Sequence, residues 1–320
     1  MITVLTGGTG GAKFVDGLAK IVPHQELTCI VNTSDDLIWW GLYVSPDVDS
    51  ITYVLSGLLN PDRGWGIADD TFQCRGSMGR LGSPTWFSLG DRDLATHLTR
   101  TQLLQSGQTH SQVTAEICRR LDITARVLPM TDQRVETLVM TPVGELGFQD
   151  YFVRRWFQDP VESVRFAGVD VAKPAPGVLD AIQNADQILL APSNPVTSIG
   201  PILAVAGIRD ALRKTKAPIA AVSPIIGGAA ISGPAGALMQ AVGLPVSIAG
   251  VAQAYCDFLD LLIADEADAS AAAAFQHPSL RIACAKSILM KTSEQRIALA
   301  QAALQMTSDL KPIPHAQEMK

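Results

Sequence analysis

Apolar runs alternate with helical patterns along this chain, and the alternation predicts its architecture. The first run, Ile2-Thr3-Val4-Leu5, leads through glycines into a helical pattern over 12–18, and a second run covers 27–31. Later runs over 187–191 and 219–223 are almost unbroken, which indicates strands buried on both faces of a parallel sheet. The pattern therefore predicts an α/β fold that is Rossmann-like and doubly wound, with a mainly parallel sheet.

The organisation of the chain is predicted to be one α/β domain over 1–310 with two interruptions. Helical patterns dominate between about 47 and 125, which predicts a helical insertion beside the sheet. A strand pattern over 136–140 leads into 141–175, where aromatic residues, charges and prolines predict a small irregular or β-rich flap. We expect the last residues, 311–320, to form a flexible tail.

Composition narrows the class of protein. Hydrophobic residues make up 47% and charged residues 18% of the chain, so it can bury a sizeable core. No apolar run reaches the roughly 18 residues that span a bilayer, and no basic segment suggests a signal peptide, so we expect a cytoplasmic protein without a membrane partner. Five scattered cysteines without a C-x-x-C pair argue against both a disulfide framework and a zinc site. A net charge of −6 argues against a nucleic-acid partner.

The glycine-rich turn Thr6-Gly7-Gly8-Thr9-Gly10-Gly11 is the first candidate site. A strand that turns through glycines into a helix lets the backbone approach a phosphate and directs unpaired N–H groups and a positive dipole at it. The spacing matches neither the Walker pattern nor G-x-G-x-x-G. The alternative is a plain glycine-rich turn between a strand and a helix.

Two carboxylate pairs form further candidate sites. Asp47 and Asp49, in Ser45-Pro46-Asp47-Val48-Asp49-Ser50, stand at the start of a predicted helix and could hold Mg²⁺, which prefers oxygen ligands and bridges to phosphates. Capping of that helix explains the same residues equally well. The second pair, Asp35-Asp36, ends a predicted strand and could equally be a solvated turn.

The segment 89–97 places several polar residues in the first two turns of a helix. Arg92 could form two parallel hydrogen bonds to a phosphate or another flat acceptor. Arg92 and Thr96 share one face, as do Asp93 and His97, so structural pairs within the helix are the alternative. His97 has no second histidine at ligand spacing, so we do not expect it to bind a metal.

Polar loops follow two of the predicted buried strands. The loop 192–200 contains Ser193, Asn194 and Thr197 between prolines, and the loop 223–236 contains four glycines, among them Gly227 and Gly228. Ligands of open α/β sheets bind beyond the carboxyl ends of the strands, so these loops are expected to converge with 6–11 and 32–36 on one crevice. For each loop taken alone, tight packing is an equally good explanation.

These motifs resemble those of the 2-phospho-L-lactate transferases of coenzyme F-420 biosynthesis. The resemblance runs in order along nearly the whole chain, with one departure at Gly11-Ala12, where some members carry Thr-Pro. The segments that carry it are 7–13, 31–36, 45–49, 65–72, 89–97, 192–201, 223–236 and 255–260.

The resemblance implies a Mg²⁺-dependent reaction between two partners. The terminal ribityl hydroxyl of Fo (7,8-didemethyl-8-hydroxy-5-deazariboflavin) would attack the phosphorus that carries a small acid in a guanosine diphospho donor, and GMP would leave. The group transferred could be phospholactate, phosphoenolpyruvate or phosphoglycerate, and the sequence does not choose among them. Such a transfer depends on positioning and charge neutralisation, which suits glycine loops, carboxylates with a metal, and an arginine. The resemblance also implies a homodimer.

The resemblance also implies roles for individual residues. Asp47, Asp49 and Arg92 would be catalytic, with Asp47 and Asp49 at the metal and with Asp49, Arg92 and Trp86 in contact with Fo. Trp39 and Trp40 are further candidates to stack on the deazaflavin, although for all three tryptophans a core position is at least as good an explanation. The nucleotide would be held by Gly8, Thr9, Gly10, Gly11, Lys13, Asn32, Ser193, Asn194, Thr197, Gly227 and Gly228.

Two other classes of protein remain open at the level of sequence. One is a non-catalytic nucleotide-sugar-binding regulator of the related gluconeogenesis-factor family, which lacks the combination of Ser-Pro-Asp-x-Asp and Gly-Asp-Arg-Asp present here. The other is a dinucleotide oxidoreductase, in which Asp35-Asp36 would bind a ribose. The poor match of the first glycine loop to the dinucleotide fingerprint argues against the second class.

Overall fold

The computed structural model describes residues 1–61 and 63–310, so the expected flexible tail over 311–320 lies outside the described residues. The strands are β1 Ile2–Thr6, β2 Leu27–Val31, β3 Leu37–Trp39, β4 Leu42–Val44, β5 Arg126–Pro129, β6 Glu136–Thr141, β7 Gly144–Gly147, β8 Ser163–Ala167, β9 Gln187–Leu190, β10 Ile219–Val222, β11 Ile225–Ile226, β12 Ala229–Ala230, β13 Leu261–Asp265 and β14 Arg281–Ala285. The α-helices are α1 Gly8–Ala19, α2 Pro46–Leu55, α3 Gln73–Arg80, α4 Asp93–Gln105, α5 His110–Arg120, α6 Val178–Gln183, α7 Gly200–Ala204, α8 Ile208–Lys214, α9 Ala235–Ala241, α10 Ile248–Tyr255, α11 Ala269–Ala274 and α12 Ser293–Ser308. Short π-helical turns cover Asp150–Arg154 and Pro195–Ile199, and 3-10 turns cover His24–Glu26, Val169–Val171 and Glu266–Asp268.

A seven-stranded sheet in the order β14-β13-β10-β9-β1-β2-β5 forms the centre of the molecule, and all of its strand pairs are parallel. The predicted Rossmann-like, doubly wound α/β fold is therefore confirmed. The chain builds β1, β2 and β5 on one side of the sheet and then returns to place β9 beside β1. This change of direction opens a crevice at the carboxyl ends of β1 and β9, where such sheets bind ligands.

Apolar residues that alternate along the central strands divide the core into two layers. One face of the sheet carries Leu5 and Ile30 and packs against α6 to α10. The other face carries Val4 and Cys29 and packs against α1, α2 and α12. This arrangement explains why the central strands are almost unbroken apolar runs in the sequence, because each strand is covered by helices on both faces of the sheet.

The two interruptions of the sheet lie near its carboxyl edge. The region predicted as a helical insertion contains α2, α3, α4 and α5, with the hairpin β3–β4 directly before it. The region 141–175, which we call the flap, contains β7, β8 and the π-helical turn, and β6 joins it to form an antiparallel sheet in the order β7-β6-β8. In the described part of the chain, no helix is both long enough and apolar enough to cross a membrane.

Candidate active site

A cavity of about 940 Å³ opens at the carboxyl edge of the central sheet. Its lining comes from the glycine turn before α1, from α2 and α4, from the loops after β9 and β10, from the flap, and from residues 288–291. The sequence predicts that the segments 6–11, 32–36, 192–200 and 223–236 converge on one crevice. All four contribute residues to this lining, and Asp35 is the residue that 32–36 contributes.

The glycine turn at the floor of the cavity is built for close approach of backbone. Gly7 stands before α1 in an extended conformation, and Gly8 adopts φ +67°, a value that favours glycine. A Cβ on Gly10 would lie 2.6 Å from the carbonyl oxygen of Pro192 in the loop after β9. The N–H of Gly8 donates to Oδ1 of Asp47 at 2.8 Å, so α2 supplies a carboxylate to the positive end of α1.

Asp47 belongs to a buried carboxylate pair that the sequence did not predict as a unit. The amide Nδ2 of Asn32 donates to Oδ2 of Asp35 and to Oδ2 of Asp47, at 3.0 Å each. Burial raises the pKa of Asp47 to about 6, against the opposing hydrogen bonds from Gly8 and Asn32. Burial and the neighbouring Asp47 raise the pKa of Asp35 well above its usual range. Both side chains line the cavity.

Asp49 is held by a residue that sequence reasoning missed. Arg100 is fully buried, and its guanidinium donates through two nitrogens to the two carboxylate oxygens of Asp49, with Nη1 to Oδ2 at 3.1 Å. Nη1 also lies 3.3 Å from Nδ1 of His97. A possible signal was present in the sequence, because Asp93, His97 and Arg100 follow one another at spacings of four and three residues and share one face of α4.

Arg92 is bonded to the segment 68–70 beside the cavity. Its Nη1 donates to the carbonyl of Ala68 at 2.9 Å, and its backbone N–H donates to Asp70 at 2.8 Å. Arg92 is not among the described residues that line the cavity, whereas Asp93 and His97 of the same helix are. Nε2 of His97 lies 3.2 Å from Oδ1 of Asp93, which also accepts a hydrogen bond from the hydroxyl of Tyr53.

Most of the other predicted site residues line the cavity. The predicted residues found there are Gly8, Thr9, Gly10, Lys13, Asp47, Asp49, Trp86, Ser193, Asn194 and Thr197. Gly11 and Asn32 lie behind this surface, and Asn32 acts through the two carboxylates that it bridges. Gly227 and Gly228 form the turn of the hairpin β11–β12 at φ +57° and +79°, outside the cavity, where the N–H of Gly227 donates to Asp268.

The three tryptophan candidates differ in burial, and Trp40 and Trp86 are half-buried. Trp39 is buried and meets Trp86 edge to face with the ring centroids 4.6 Å apart. Trp40 packs beside Trp39 and donates from its indole nitrogen to the carbonyl of Pro84. Only Trp86 of these three lines the cavity, where Trp65 and Phe87 accompany it.

Basic side chains accompany the acidic ones in the lining of the cavity. Lys13, Arg75, Arg154 and Lys291 all line the cavity. Burial, together with the charge of Arg296, lowers the pKa of Lys13. A ligand with several negative charges would therefore meet cations as well as the amide groups of the glycine turn.

The residues present fit a divalent cation of the type that the resemblance implies. Among residues 1–61 and 63–310, no group of three His, Cys, Asp or Glu side chains forms a complete metal site. Asp35 and Asp47 nevertheless present two oxygens bonded to one amide, without an ion pair to any described basic side chain. Mg²⁺ accepts such a site because it keeps water ligands and bridges to phosphate oxygens. Asp49 is less suited, since Arg100 already neutralises it.

The fold and the cavity define an α/β protein with a large cavity at the carboxyl edge of its central parallel sheet. The family model described as 2-phospho-L-lactate transferase CofD matches residues 2–295. The chain therefore belongs to the 2-phospho-L-lactate transferase CofD family, as its motifs suggested, and is a transferase.

Two relatives agree with this assignment, and one solved structure agrees with the fold. The chain is 45% identical over 319 residues to a phosphoenolpyruvate transferase of Kitasatospora aureofaciens, a match that covers 97% of this chain and 98% of the relative. It is 42% identical over 293 residues to a 2-phospho-L-lactate transferase of Methanosarcina acetivorans, covering 92% and 95% of the two chains. A crystal structure of a UPF0052 family protein from Bacillus halodurans has a TM-score of 0.61 at 16% identity and covers 95% of this chain and 98% of its own, which supports the fold.

Proposed function

We propose that this protein transfers a phospho-2-hydroxyacid-type group from a guanosine diphospho donor to the ribityl hydroxyl of the deazaflavin Fo, with release of GMP, in coenzyme F-420 biosynthesis. The observation that carries the proposal is the meeting of the glycine turn, Asp47 and Asp49 in one cavity of a chain that belongs to this transferase family. The group transferred is phospholactate, phosphoenolpyruvate or phosphoglycerate.

The donor's diphosphate is bound at the floor of the cavity in this proposal. Amide groups at the start of α1 have no partners within the helix and can donate to phosphate oxygens. Lys13 contributes a cation one turn further along the same helix. Mg²⁺, held by Asp47 with Asp35, would neutralise part of the diphosphate charge.

Asp49 acts on the acceptor hydroxyl. The ribityl oxygen forms a bond to the phosphorus that carries the acid, and the bond from that phosphorus to the bridging oxygen breaks, so GMP leaves with the electron pair. Asp49 takes the proton of the hydroxyl, since its carboxylate lies at the cavity and is oriented from behind by Arg100. Arg100 touches no substrate and is a positioning residue.

The identity of the acid stays open in the proposal. Relatives named phosphoenolpyruvate transferase and 2-phospho-L-lactate transferase are 45% and 42% identical to this chain. These two identities are too similar to favour one acid over the other. Acids that differ by a methyl or methylene group are distinguished by only about 1–3 kcal/mol in an apolar pocket.

Product mass spectrometry tests the proposal. Fo, GTP and each phosphorylated acid are incubated with the enzyme that makes the guanylylated donor, with and without this protein. We expect a phosphodiester of Fo for at least one acid and none without the protein. EDTA should stop its formation and Mg²⁺ should restore it. A melting temperature raised by UDP-sugars, but by neither Fo nor GDP, would instead favour a nucleotide-sugar-binding protein.

A further inference from the structure

Behind Asp49, helix α4 carries a buried histidine and a buried aspartate that the proposed reaction does not use. His97 is 1% exposed and Asp93 is 5% exposed. Nε2 of His97 lies 3.2 Å from Oδ1 of Asp93, and Nδ1 of His97 lies 3.3 Å from Nη1 of Arg100. Arg100 donates in turn to both carboxylate oxygens of Asp49. A chain of polar contacts therefore runs from Asp93 through His97 and Arg100 to the carboxylate at the cavity.

The contact with Arg100 fixes which nitrogen of the His97 ring carries the proton. A guanidinium group has five N–H donors and no acceptor, so Nδ1 of His97 has to be the acceptor in this contact. In the neutral ring the proton then lies on Nε2, which is the side of the Asp93 carboxylate. Asp93 therefore selects the tautomer of His97 that offers a lone pair to Arg100.

Asp93 is itself fixed in the state that this tautomer needs. Burial raises the pKa of Asp93, but the contact with His97 and the hydroxyl of Tyr53 outweigh burial, so the pKa lies below its usual value. Tyr53 donates to Oδ1 of Asp93 at 2.6 Å, and the backbone N–H of Asp93 donates to Asp70 at 3.0 Å. The acceptor for Nε2 of His97 is thus an ionised carboxylate whose position is set on two sides.

Arg100 depends on His97 for its orientation. Nε of Arg100 has no hydrogen-bond partner among the described residues, so the bonds of its two terminal nitrogens hold the guanidinium group. Nη1 contacts both Oδ2 of Asp49, at 3.1 Å, and Nδ1 of His97. Without the contact to His97, Arg100 and Asp49 could swing together as one unit, and the Asp49 carboxylate would lose its fixed direction.

We infer that His97 is a positioning residue of the transfer, oriented by Asp93, and that it holds Arg100 so that the Asp49 carboxylate faces the acceptor hydroxyl. This inference rests on the proposed function, in which Asp49 takes the proton of that hydroxyl. A base that is oriented by further groups is a common arrangement in active sites, and a small misplacement of such a base slows the chemical step. His97 should therefore affect kcat far more than the KM for Fo.

Two amide variants of His97 test the inference, because each keeps a different one of its contacts. The amide of His97→Asn lies near the position of Nδ1 and offers an oxygen to Arg100. The longer side chain of His97→Gln reaches the position of Nε2 and keeps only the contact with Asp93. The readouts are the melting temperature and the steady-state kinetics of phosphodiester formation from Fo, with the donor-forming enzyme in excess.

The two variants should differ in kcat. His97→Asn should stay within about threefold of the wild type, a difference of less than about 1 kcal/mol in the barrier. His97→Gln should lower kcat roughly tenfold or more, because Asp49 is then misplaced, with little change in the KM for Fo. Gln102→Ala, at an exposed position of the same helix, is the control and should change neither parameter.

A double-mutant cycle tests the link between Asp93 and His97. Asp93→Ala should lower kcat roughly tenfold in the otherwise wild-type protein, because the tautomer of His97 is no longer fixed. In a protein that already carries His97→Gln, the same change should lower kcat by less than about twofold, because residues that act through one another are not additive. Losses that multiply would overturn the orienting role of Asp93.

The outcomes separate this inference from the proposed function. A His97→Gln protein as active as His97→Asn overturns the inference, because the contact with Asp93 would then be sufficient. Equal losses of kcat in both amide variants also overturn it, since the imidazole ring itself would then be required. In both cases the wild type still forms the phosphodiester, so the proposed function stands. If the wild type forms no phosphodiester of Fo with any of the three acids, the proposed function is rejected and the inference is rejected with it.

Discussion

At the scale of single residues, Asp49 and Arg100 form a buried pair whose members have different roles. Asp49 reaches the cavity, whereas Arg100 is fully enclosed behind it. Removing one partner of a buried pair costs about 3–5 kcal/mol, because the remaining charge has no compensation. Loss of activity in a variant of Asp49 therefore has two sources, lost chemistry and lost stability, which an experiment has to separate.

Asp49→Asn should abolish transfer and also lower the melting temperature. The double variant Asp49→Asn/Arg100→Gln removes both charges, so it should regain part of the lost stability and stay inactive, since no carboxylate accepts the proton. Thermal unfolding and product mass spectrometry on both variants give the two readouts. Wild-type turnover of Asp49→Asn would remove Asp49 from the mechanism. A double variant that melts no higher than the single variant would show that unpaired Arg100 is not the source of the instability.

Arg92 presents the opposite case, an arginine without a structural ion pair among the described residues. Its guanidinium bonds the carbonyl of Ala68, so Arg92→Lys should change the free energy of unfolding by no more than about 1 kcal/mol. The resemblance places this side chain at Fo, and a lysine cannot reproduce a two-pronged guanidinium contact. We therefore expect at least a roughly tenfold loss of Fo affinity by calorimetry, equivalent to about 1.4 kcal/mol. Equal Fo affinities and equal turnover would leave Arg92 outside the site.

At the scale of elements, the approach of α1 to the loop after β9 forms the floor of the cavity. Gly10 faces the carbonyl oxygen of Pro192, and a Cβ there would stand 2.6 Å away from it. Because the oxygen belongs to the backbone and the position of a Cβ is fixed by the helix, a side chain can be accommodated only if the helix and the loop move apart. The same movement would separate Thr9 and Lys13 from Ser193 across the cavity.

Gly10→Ala should consequently destabilise the protein and weaken GDP binding together. Gly76→Ala is the matched control, because Gly76 lies inside α3, its added Cβ meets nothing within 4 Å, and alanine is the better helix former. The control should gain about 0.5–1 kcal/mol of stability and keep its affinity for GDP. Denaturant unfolding and calorimetry measure the two effects. A Gly10→Ala protein as stable as the wild type would mean that the floor tolerates a wider spacing.

The same elements explain how much of the architecture could be predicted from the sequence. Strands β1, β2, β9 and β10 were predictable because each is buried on both faces and reads as an apolar run. The glycine turn and Asp47 were predictable because local motifs place them at the ends of elements. Arg100 was not predicted, since the spacing within α4 shows which residues share a face but not that this face meets Asp49 of α2. Gly227 and Gly228 show the converse, because a glycine pair suits a hairpin turn as well as a phosphate loop.

At the scale of the whole molecule, the site holds two buried carboxyls that no described basic side chain neutralises through an ion pair. Asp35 and Asp47 stand together, and both have raised pKa values because of burial. A carboxyl whose pKa is higher in the folded than in the unfolded protein stabilises the fold when protonated. That contribution is complete below the unfolded pKa and is lost as the pH rises through the folded value. These two carboxyls therefore stabilise the fold less at neutral pH than at mildly acidic pH.

Asp47→Asn should expose this effect when its stability is compared with that of the wild type at several pH values. The pKa of Asp47 is raised from 3.8 to about 6, and one unit corresponds to about 1.4 kcal/mol. From Asp47 itself, the variant should therefore gain up to about 3 kcal/mol relative to the wild type between about pH 4 and about pH 8. Removing Asp47 also removes a charge that raises the pKa of Asp35, which acts in the same direction.

Denaturant unfolding in metal-free buffer measures the difference in free energy of unfolding between Asp47→Asn and the wild type. Comparing this difference at several pH values cancels any effect of the new asparagine side chain that does not depend on pH. Asp122→Asn, at an exposed carboxylate, controls for the loss of one negative charge. Its stability relative to the wild type should not change over the same range. A constant difference between Asp47→Asn and the wild type would show that Asp47 is not destabilised by burial.

Mg²⁺ at pH 8 should raise the melting temperature of the wild type more than that of Asp47→Asn, because a cation between Asp35 and Asp47 relieves the same repulsion that protonation relieves at low pH.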